Sequence, residues 1–496
     1  MAALSCLGSG PILYKIGQIS GARIIGLDIG TSSAKGVAID EDGAVLAQAE
    51  HSYRVSMPHP GWSEQDPELW WQAAEAILTE LDADRADGIG LTGQMHGLVV
   101  LGSDREPLRP AILWNDSRSQ PQATSIERRL GIERLVALSG NRALAGFTAP
   151  KLAWMAEHEP DLHSRIERVL LPKDYVRWRL TGELATDVSD ASGTLLLDVS
   201  RRAWSRELAD AFEVDPTWLP AVLESPVTSG HTKAGVPVAA GAGDQAAGAL
   251  GVGVTDGHSP ASLVLGTSGV IFAARDTYEP DPRGRLHAFC HALPETWHVM
   301  GVILSAAGAL SWLDDAVGDR DGVASLLEQA AAWEPGTEGL VFAPYLSGER
   351  TPHADSDVRA AFVGLGLRHD RGALVRAVLE GVGYALRDGL DLIAAAGPAP
   401  TVARVSGGGA RSELWLKILA SILELPLERT GSEAGAAYGA ALLGGVSGGV
   451  FPDARTAAQS HATATARIEP DPEWVKLYAD QRGRFQALYP MLAALE

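Results

Sequence analysis

The sequence predicts an α/β protein of two lobes that face one cleft. Three observations lead there. The chain has 496 residues, more than a single hydrophobic core usually supports, so at least two domains are expected. Strand-like and helix-like stretches alternate along it. The phrase Gly-Thr-Ser follows an apolar strand twice, at 30–32 and at 266–268, an echo between the halves too weak to count as a repeat.

Residues 1–22 read as a loose N-terminal extension. The apolar stretch near 4–13 has no basic start, is too short to cross a bilayer, and is broken by Gly8, Gly10 and Pro11. A first lobe is expected over 23–236. Arg23 to Asp28, Ala34 to Ile39 and Ala44 to Ala49 read as an antiparallel meander, with turn chemistry at Asp40-Glu41-Asp42-Gly43. Pro67 then opens a helix to Leu81 behind the N-cap candidate Asp66, with Leu69, Trp70, Ala73, Ala76, Ile77 and Leu81 at helical spacing. Gly88 to Leu101 reads as one buried strand. The second lobe is expected over 237–496, where Val238 to Asp244 runs into a small-residue helix from Gln245 to Leu250 and Ser262 to Ala273 makes a strand, turn and strand. Beyond it come a strand near 340–346, helices over 372–394, 413–423 and 433–443, and a strand over 402–406.

Composition narrows the function classes. With 62 acids against 41 bases the formal charge is -21, the wrong sign for holding a nucleic-acid backbone, so no nucleic acid is expected as a partner. Any phosphate must be held locally, by backbone N–H groups, a metal and a few cations, which favours a small nucleotide in a pocket. No uninterrupted apolar span predicts a membrane segment. Cys6 and Cys290 are the two cysteines; a disulfide framework is not expected and a reducing cytoplasm fits.

Several segments carry chemistry, each with a plainer alternative. Asp28 ends a strand and is followed by Gly30-Thr31-Ser32-Ser33 and Lys35: backbone and hydroxyl donors here can hold a phosphate, and Asp28 can hold Mg²⁺ directly or through water. The alternative is a hairpin turn with a solvated aspartate. Gly266-Thr267-Ser268 offers a second such turn, and Ser406 to Ala410 with its triple glycine a third, so that one nucleotide could be embraced; a tight helix–strand turn also accounts for the glycines. Asp244 closes a strand and opens a helix, where it either accepts the proton of an attacking hydroxyl or caps the helix. Gln94 and His96 supply an amide and an imidazole suited to sugar hydroxyls, and Trp114 to Arg118 adds an aromatic ring, an amide, a carboxylate and a guanidinium; a structural histidine and a surface turn are the alternatives.

In order along the chain, these phrases resemble the FGGY carbohydrate kinases, and in finer detail the xylulokinase branch. They are Leu-Asp-Ile-Gly-Thr-Ser at 27–32, His-Pro-Gly-Trp-Ser-Glu-Gln-Asp-Pro-Glu at 59–68, Gly-Gln-Met-His-Gly at 93–97, Ala-Ile-Leu-Trp-Asn-Asp-Ser-Arg at 111–118, Leu-Leu-Pro-Lys-Asp-Tyr at 170–175, Gly-Asp-Gln-Ala-Ala-Gly at 243–248, Tyr-Leu-Ser-Gly-Glu-Arg-Thr-Pro-His at 345–353 and Gly-Gly-Gly-Ala-Arg-Ser at 407–412. The resemblance implies an actin-like, ribonuclease-H-like pair of lobes with ATP and sugar in the cleft between them. It implies Asp244 as catalytic base, Asp28 beside Mg²⁺, and Met95, His96, Trp114, Asp244 and Gln245 around the sugar. ATP would meet Thr31, Ser32 and Lys35 on one side and Gly266, Thr267, Trp312, Gly407, Gly408 and Ser412 on the other. Gln245 departs from the asparagine that many relatives carry. A homodimer is compatible with the family, although no apolar stripe identifies an interface.

The expected reaction is in-line transfer of the ATP γ-phosphoryl group to the terminal hydroxyl of an open-chain ketose, D-xylulose. Rival readings are an FGGY kinase for ribulose, fuculose or glycerol, an actin-like or chaperone-like ATPase, and a catalytically silent sugar sensor.

Overall fold

Alternation in the sequence becomes two seven-stranded sheets in the computed structural model, which describes residues 21–317, 322–431 and 435–495. Most of the extension expected over 1–22 therefore lies outside the described residues. In the first lobe β1 (Ile24–Ile29), β2 (Ser33–Ile39) and β3 (Val45–Ser52) form the expected antiparallel meander. The helix α1 (Pro67–Glu80) starts where Asp66 caps it by accepting from Glu68 N at 3.0 Å. Strand β4 (Gly88–Gly93) then lies parallel to β1. The long strand read over 88–101 is broken: the backbone turns at 94–98 before Val99–Leu101, with His96 in a left-handed conformation at φ 68.

Strands β5 (Thr228–His231), β6 (Pro237–Ala239) and β7 (Ala242–Gly243) complete this sheet in the order β5-β6-β4-β1-β2-β3, with β7 also paired to β4. Residues beyond the division expected at 236/237 thus belong to the first sheet. The helix α2 (Asp244–Gly251) leaves directly from the end of β7, beside the interior strand β4.

The second sheet has the order β10-β11-β9-β8-β12-β13-β14, from β8 (Ala261–Leu265), β9 (Gly269–Arg275), β10 (His287–Cys290), β11 (Trp297–Ile303), β12 (Ala403–Ser406), β13 (Leu427–Thr430) and β14 (Ala464–Ile468). Its centre copies the first: an antiparallel hairpin β8-β9 closed by Gly-Thr-Ser, with β12 parallel to β8 as β4 is to β1. The weak sequence echo is therefore a duplicated topology. Around it pack α3 (Ala307–Val317), the buried α4 (Arg371–Ala395) and α5 (Glu413–Leu423), and the chain then continues into α6 (Gly435–Ser447).

The lobes meet through α2 and α6. Helix α6 comes from the C-terminal part of the chain yet lies on β1 and β4 of the first sheet. Glycine makes that approach: a Cβ on Gly90 would sit 1.8 Å from the Ala440 carbonyl oxygen, and one on Gly439 1.8 Å from the Ala247 oxygen. Backbone touches backbone there, leaving no space for any side chain.

Candidate functional site

Three parallel strands of the first sheet end together. In register, Asp28 of β1 stands beside Thr92 of β4, and Gly93 of β4 beside Gly243 of β7. Two strand spacings thus separate the backbones of β1 and β7, about 10 Å, and their carboxylates, Asp28 and Asp244, look out at the carboxyl ends of the strands. That is where open α/β sheets hold ligands.

Asp244 is not a helix cap. Gly243 occupies that position and Asp244 is the first helical residue, so the carboxylate is left to the cleft. Its backbone is anchored from behind: Gly243 N donates to Ser189 Oγ at 3.1 Å, and Ser189 Oγ donates to Asp187. Asp187 belongs to a fully buried ion cluster in which Lys173 Nζ meets Asp174 at 2.7 Å, Asp187 at 2.8 Å and Asp190 at 3.1 Å. Burial pushes the Asp244 carboxyl up to about 7, and the neighbouring Asp28 carboxylate adds to the push, against the pull of the Gln245 backbone and side-chain amides. Burial pushes Asp28 up to about 6, against the Lys35 cation opposite it on β2. Asp28 is no solvated turn residue: its Oδ1 is buried without a hydrogen-bond partner among the described residues, as is Thr92 Oγ1 beside it.

The first Gly-Thr-Ser turn is tied down by side chains. Tyr53 donates to Gly30 O at 2.6 Å. Gln65 donates to Thr31 O at 2.8 Å, and Gln94 to both Gly30 O and Gln65 Oε1. Thr31 Oγ1 donates to Gln94 at 3.2 Å and accepts from Trp114 Nε1 at 3.0 Å. The Gln94 amide is therefore spent on the turn rather than left free for sugar hydroxyls. The reason is that Gly30 and Thr31 present buried carbonyls that require donors. Ser32 is exposed, and the exposed Lys35 lies 3.6 Å from Glu50.

Met95 packs beside Gly243, the residue before Asp244, and His96 follows it in the turn. Met95 is buried against Gly243 and Gly193, where an added Cβ would lie 2.9 and 3.3 Å from its side chain. His96 Nδ1 lies 2.7 Å from Gly193 O, and its own carbonyl accepts from Lys151 Nζ at 2.9 Å and Thr148 Oγ1 at 3.0 Å. Burial, together with the Lys151 and Arg350 cations, pushes the imidazole down to about 3.

In the second lobe the carbonyls of Gly266 and Thr267 accept from Ala307 N at 2.9 Å and Ala306 N at 2.8 Å, docking the turn on the start of α3. Gly407 lies against the end of β8: a Cβ there would be 2.7 Å from Leu265 O. The second and third glycine turns are thus neighbours, and Gly408 has open space beside it. Ser412 caps α5 by accepting from Trp415 N at 3.1 Å. Trp312 on α3 is 41% exposed and stacks on Phe342 at 6.3 Å.

Residue type and spacing alone point to no part for Tyr53, Gln65, Thr92, Lys151, the Lys173 cluster or Arg350. Two phrases quoted above, at 170–175 and 345–353, contain Lys173 and Arg350; their unusual density of charge in apolar surroundings was the available signal.

Comparison with known proteins agrees along the chain. The profile of the FGGY family of carbohydrate kinases, N-terminal domain, matches residues 23–251, and that of the C-terminal domain residues 261–448. A xylulose kinase from Escherichia coli (strain K12) is 42% identical over 492 residues, covering 95% of this chain and 99% of its own. Among solved structures, a xyloylose kinase from Brucella ovis superposes with a TM-score of 0.90 at 43% identity, covering 96% of this chain and all of its own. A gluconate kinase from Lactobacillus acidophilus superposes with a TM-score of 0.91 at 26% identity, covering 96% and 99%.

Proposed function

The chain belongs to the FGGY family of carbohydrate kinases, and on that footing we propose that it transfers the ATP γ-phosphoryl group to the terminal hydroxyl of D-xylulose, yielding D-xylulose 5-phosphate. The observation that carries the chemistry is Asp244: a carboxylate at the cleft floor, free of capping duty, anchored through Gly243 and raised to about 7. Such a group accepts a proton near neutral pH. Support for the sugar comes from the relative described as a xylulose kinase at 42% identity and the structure described as a xyloylose kinase at 43%; the gluconate kinase stands at 26%.

In the proposed reaction Met95 and His96 hold the sugar with its reacting end toward Asp244. The hydroxyl attacks phosphorus, the bond to the ADP leaving oxygen breaks, and Asp244 takes the hydroxyl proton as the transfer proceeds. Asp28 and the Thr92 hydroxyl, buried oxygens without partners, suit a hard cation. Among the described residues no group of three or more His, Cys, Asp or Glu side chains could hold a metal; one or two carboxylates suffice for Mg²⁺ that also binds phosphates. When bound, Mg²⁺ supplies neutralisation of phosphoryl charge. We assign the nucleotide phosphates to the two Gly-Thr-Ser turns and the adenosine to the side of Gly407, Gly408 and Trp312. We place the enzyme in the cytoplasm, with which the buried free thiol of Cys290 is consistent.

The test is ADP release with D-xylulose, ribulose, glycerol, gluconate or no acceptor, side by side. D-xylulose should give the largest kcat/KM and the acceptor-free rate should be far lower. A preference for another acceptor overturns the substrate; an equal rate without acceptor overturns the kinase and favours a nucleotide-cycling ATPase.

A further inference from the structure

Hydrogen-bond polarity around His96 can be read without a ligand. Gly193 O is a carbonyl and can only accept, so the bond at 2.7 Å fixes the His96 proton on Nδ1. The ring is neutral, pushed down to about 3, which leaves Nε2 as an acceptor. The ring cannot turn away, because Phe147 packs edge-on at 4.4 Å and the backbone is pinned by Lys151 and Thr148.

A second imidazole is fixed in the same sense. Asn141 Nδ2 donates to Ser139 O at 2.8 Å and Ala288 O at 3.2 Å, which settles its amide orientation and turns Oδ1 toward His287 Nδ1 at 2.6 Å. His287 therefore also carries its proton on Nδ1. Its Nε2 is buried, an acceptor, and without a partner among the described residues. Phe147 lies between the two rings, 6.0 Å from His287.

The matching donor is Arg350. Its segment runs beside β11: Thr351 N donates to Val302 O at 3.0 Å, Val302 lies two residues beyond Met300, the cross-strand partner of His287, and Met300, Val302, Met95 and Phe147 share one hydrophobic cluster. From there its charge acts on both His96 and His287, and its guanidinium makes no hydrogen bond or ion pair among the described residues. The adjacent Glu349 spends one oxygen on Leu304 N and Arg350 N and is pushed up to about 8 by burial, so at neutral pH it is no counterion. A guanidinium has donors only and keeps its charge. Its segment belongs to the second lobe, where Thr351 is bonded to Val302 of β11.

We infer that Arg350 is a specificity-determining residue which, paired with His96 Nε2, reads the hydroxyketone end of the substrate. The C1 hydroxyl donates to the imidazole, and the C2 carbonyl, which can only accept, receives the guanidinium N–H. With Met95 packed on Gly243 beside Asp244, the opposite end of a five-carbon skeleton points to the base. The inference rests on the ketose reading above. It adds that the second lobe contributes to sugar choice, through a cation whose charge the sugar carbonyl partly satisfies.

The test compares D-xylulose with xylitol, the same carbon skeleton without the carbonyl, in the wild type, Arg350→Met and Arg350→Lys. Arg350→Met should lower the ratio of kcat/KM for ketose over polyol by tenfold or more, mainly through the sugar KM, with the KM for ATP unchanged. Arg350→Lys, which keeps the charge and loses the fork, should fall between. The unfolding temperature of Arg350→Met should be unchanged or higher, since the guanidinium makes no hydrogen bond or ion pair among the described residues that the variant would lose. Equal loss for both acceptors, a raised KM for ATP, or a lowered unfolding temperature would each overturn the assignment in favour of a general or structural role. A wild type that prefers a non-ketose acceptor overturns the substrate reading itself, and shows this before any variant is made.

Discussion

Replacing Asp244 by Asn should damage the enzyme and strengthen the protein at once. The carboxyl is raised from 3.8 to about 7, a shift of about 3 units, and each unit corresponds to about 1.4 kcal/mol. The sign follows from linkage: a carboxyl with a raised folded value contributes most below its unfolded value, and that contribution is lost as pH rises through the folded value. Above pH 7 wild type therefore carries a cost of about 4 kcal/mol from this group. Asp244 keeps a solvent-facing side and is coupled to Asp28, so about half of that, about 2 kcal/mol, is the working figure. Asn removes it, which for a lobe of this size raises the unfolding temperature by about 4–8 °C. The assay is thermal unfolding without ligands at pH 8.5 and pH 5, beside steady-state ADP release. The stability gap should shrink at pH 5 to about a third, because 5 lies only about one unit above the unfolded carboxyl, while kcat falls about 10²–10⁴-fold. A variant no more stable than wild type at pH 8.5, or a gap independent of pH, would refute the account of Asp244 as a desolvated, preorganised base.

Other perturbations probe separate parts of the molecule. His96→Ala should raise the sugar KM about tenfold, as for a lost hydrogen bond, with the KM for ATP unchanged; steady-state kinetics in both substrates would check it. Gly90→Ala should cost about 3 kcal/mol, because its Cβ would fall 1.8 Å from the Ala440 oxygen at the contact between α6 and the first sheet, and would appear as a lower denaturation midpoint. His298, stacked on Phe272 at 4.1 Å with neither ring nitrogen well bonded among the described residues, is held well below its ordinary value of 6.5 chiefly by burial. Its neutral state costs stability as pH falls below 6.5, by about 1.4 kcal/mol per unit. His298→Phe should therefore gain on wild type as pH drops from 7 to 5, measured by urea midpoints at the two values.

Local readings were legible where the cause is local. Asp66 caps α1 because its side chain reaches an N–H two residues on, and α5 occupies Glu413–Leu423 as its apolar spacing requires. The expected strand over 88–101 was broken because the run of apolar residues says nothing about a left-handed residue at 96, a conformation that costs energy and is held by Lys151, Thr148 and Gly193 from distant segments. Thr31 was legible as a turn residue, but not that Gln94 and Trp114 consume its hydroxyl.

The order of residues was enough for the α/β class, the two Gly-Thr-Ser turns, the acidic balance that offers no basic field for nucleic acid, and the phrases that carry the family. These depend on residue type and short spacing, which that order states directly; that the two turns close equivalent hairpins came from the strand pairing. It took the folded chain to show that α6 closes the first lobe, that Asp28 stands close enough to raise the Asp244 carboxyl, and that Lys173 and three carboxylates lie buried behind Gly243. Folding also set which imidazole nitrogens are left as acceptors and brought the Arg350 segment to β11, the strand paired with that of His287. Those facts depend on desolvation and on hydrogen bonds between residues tens to hundreds of positions apart, and neither quantity exists until the polypeptide is folded.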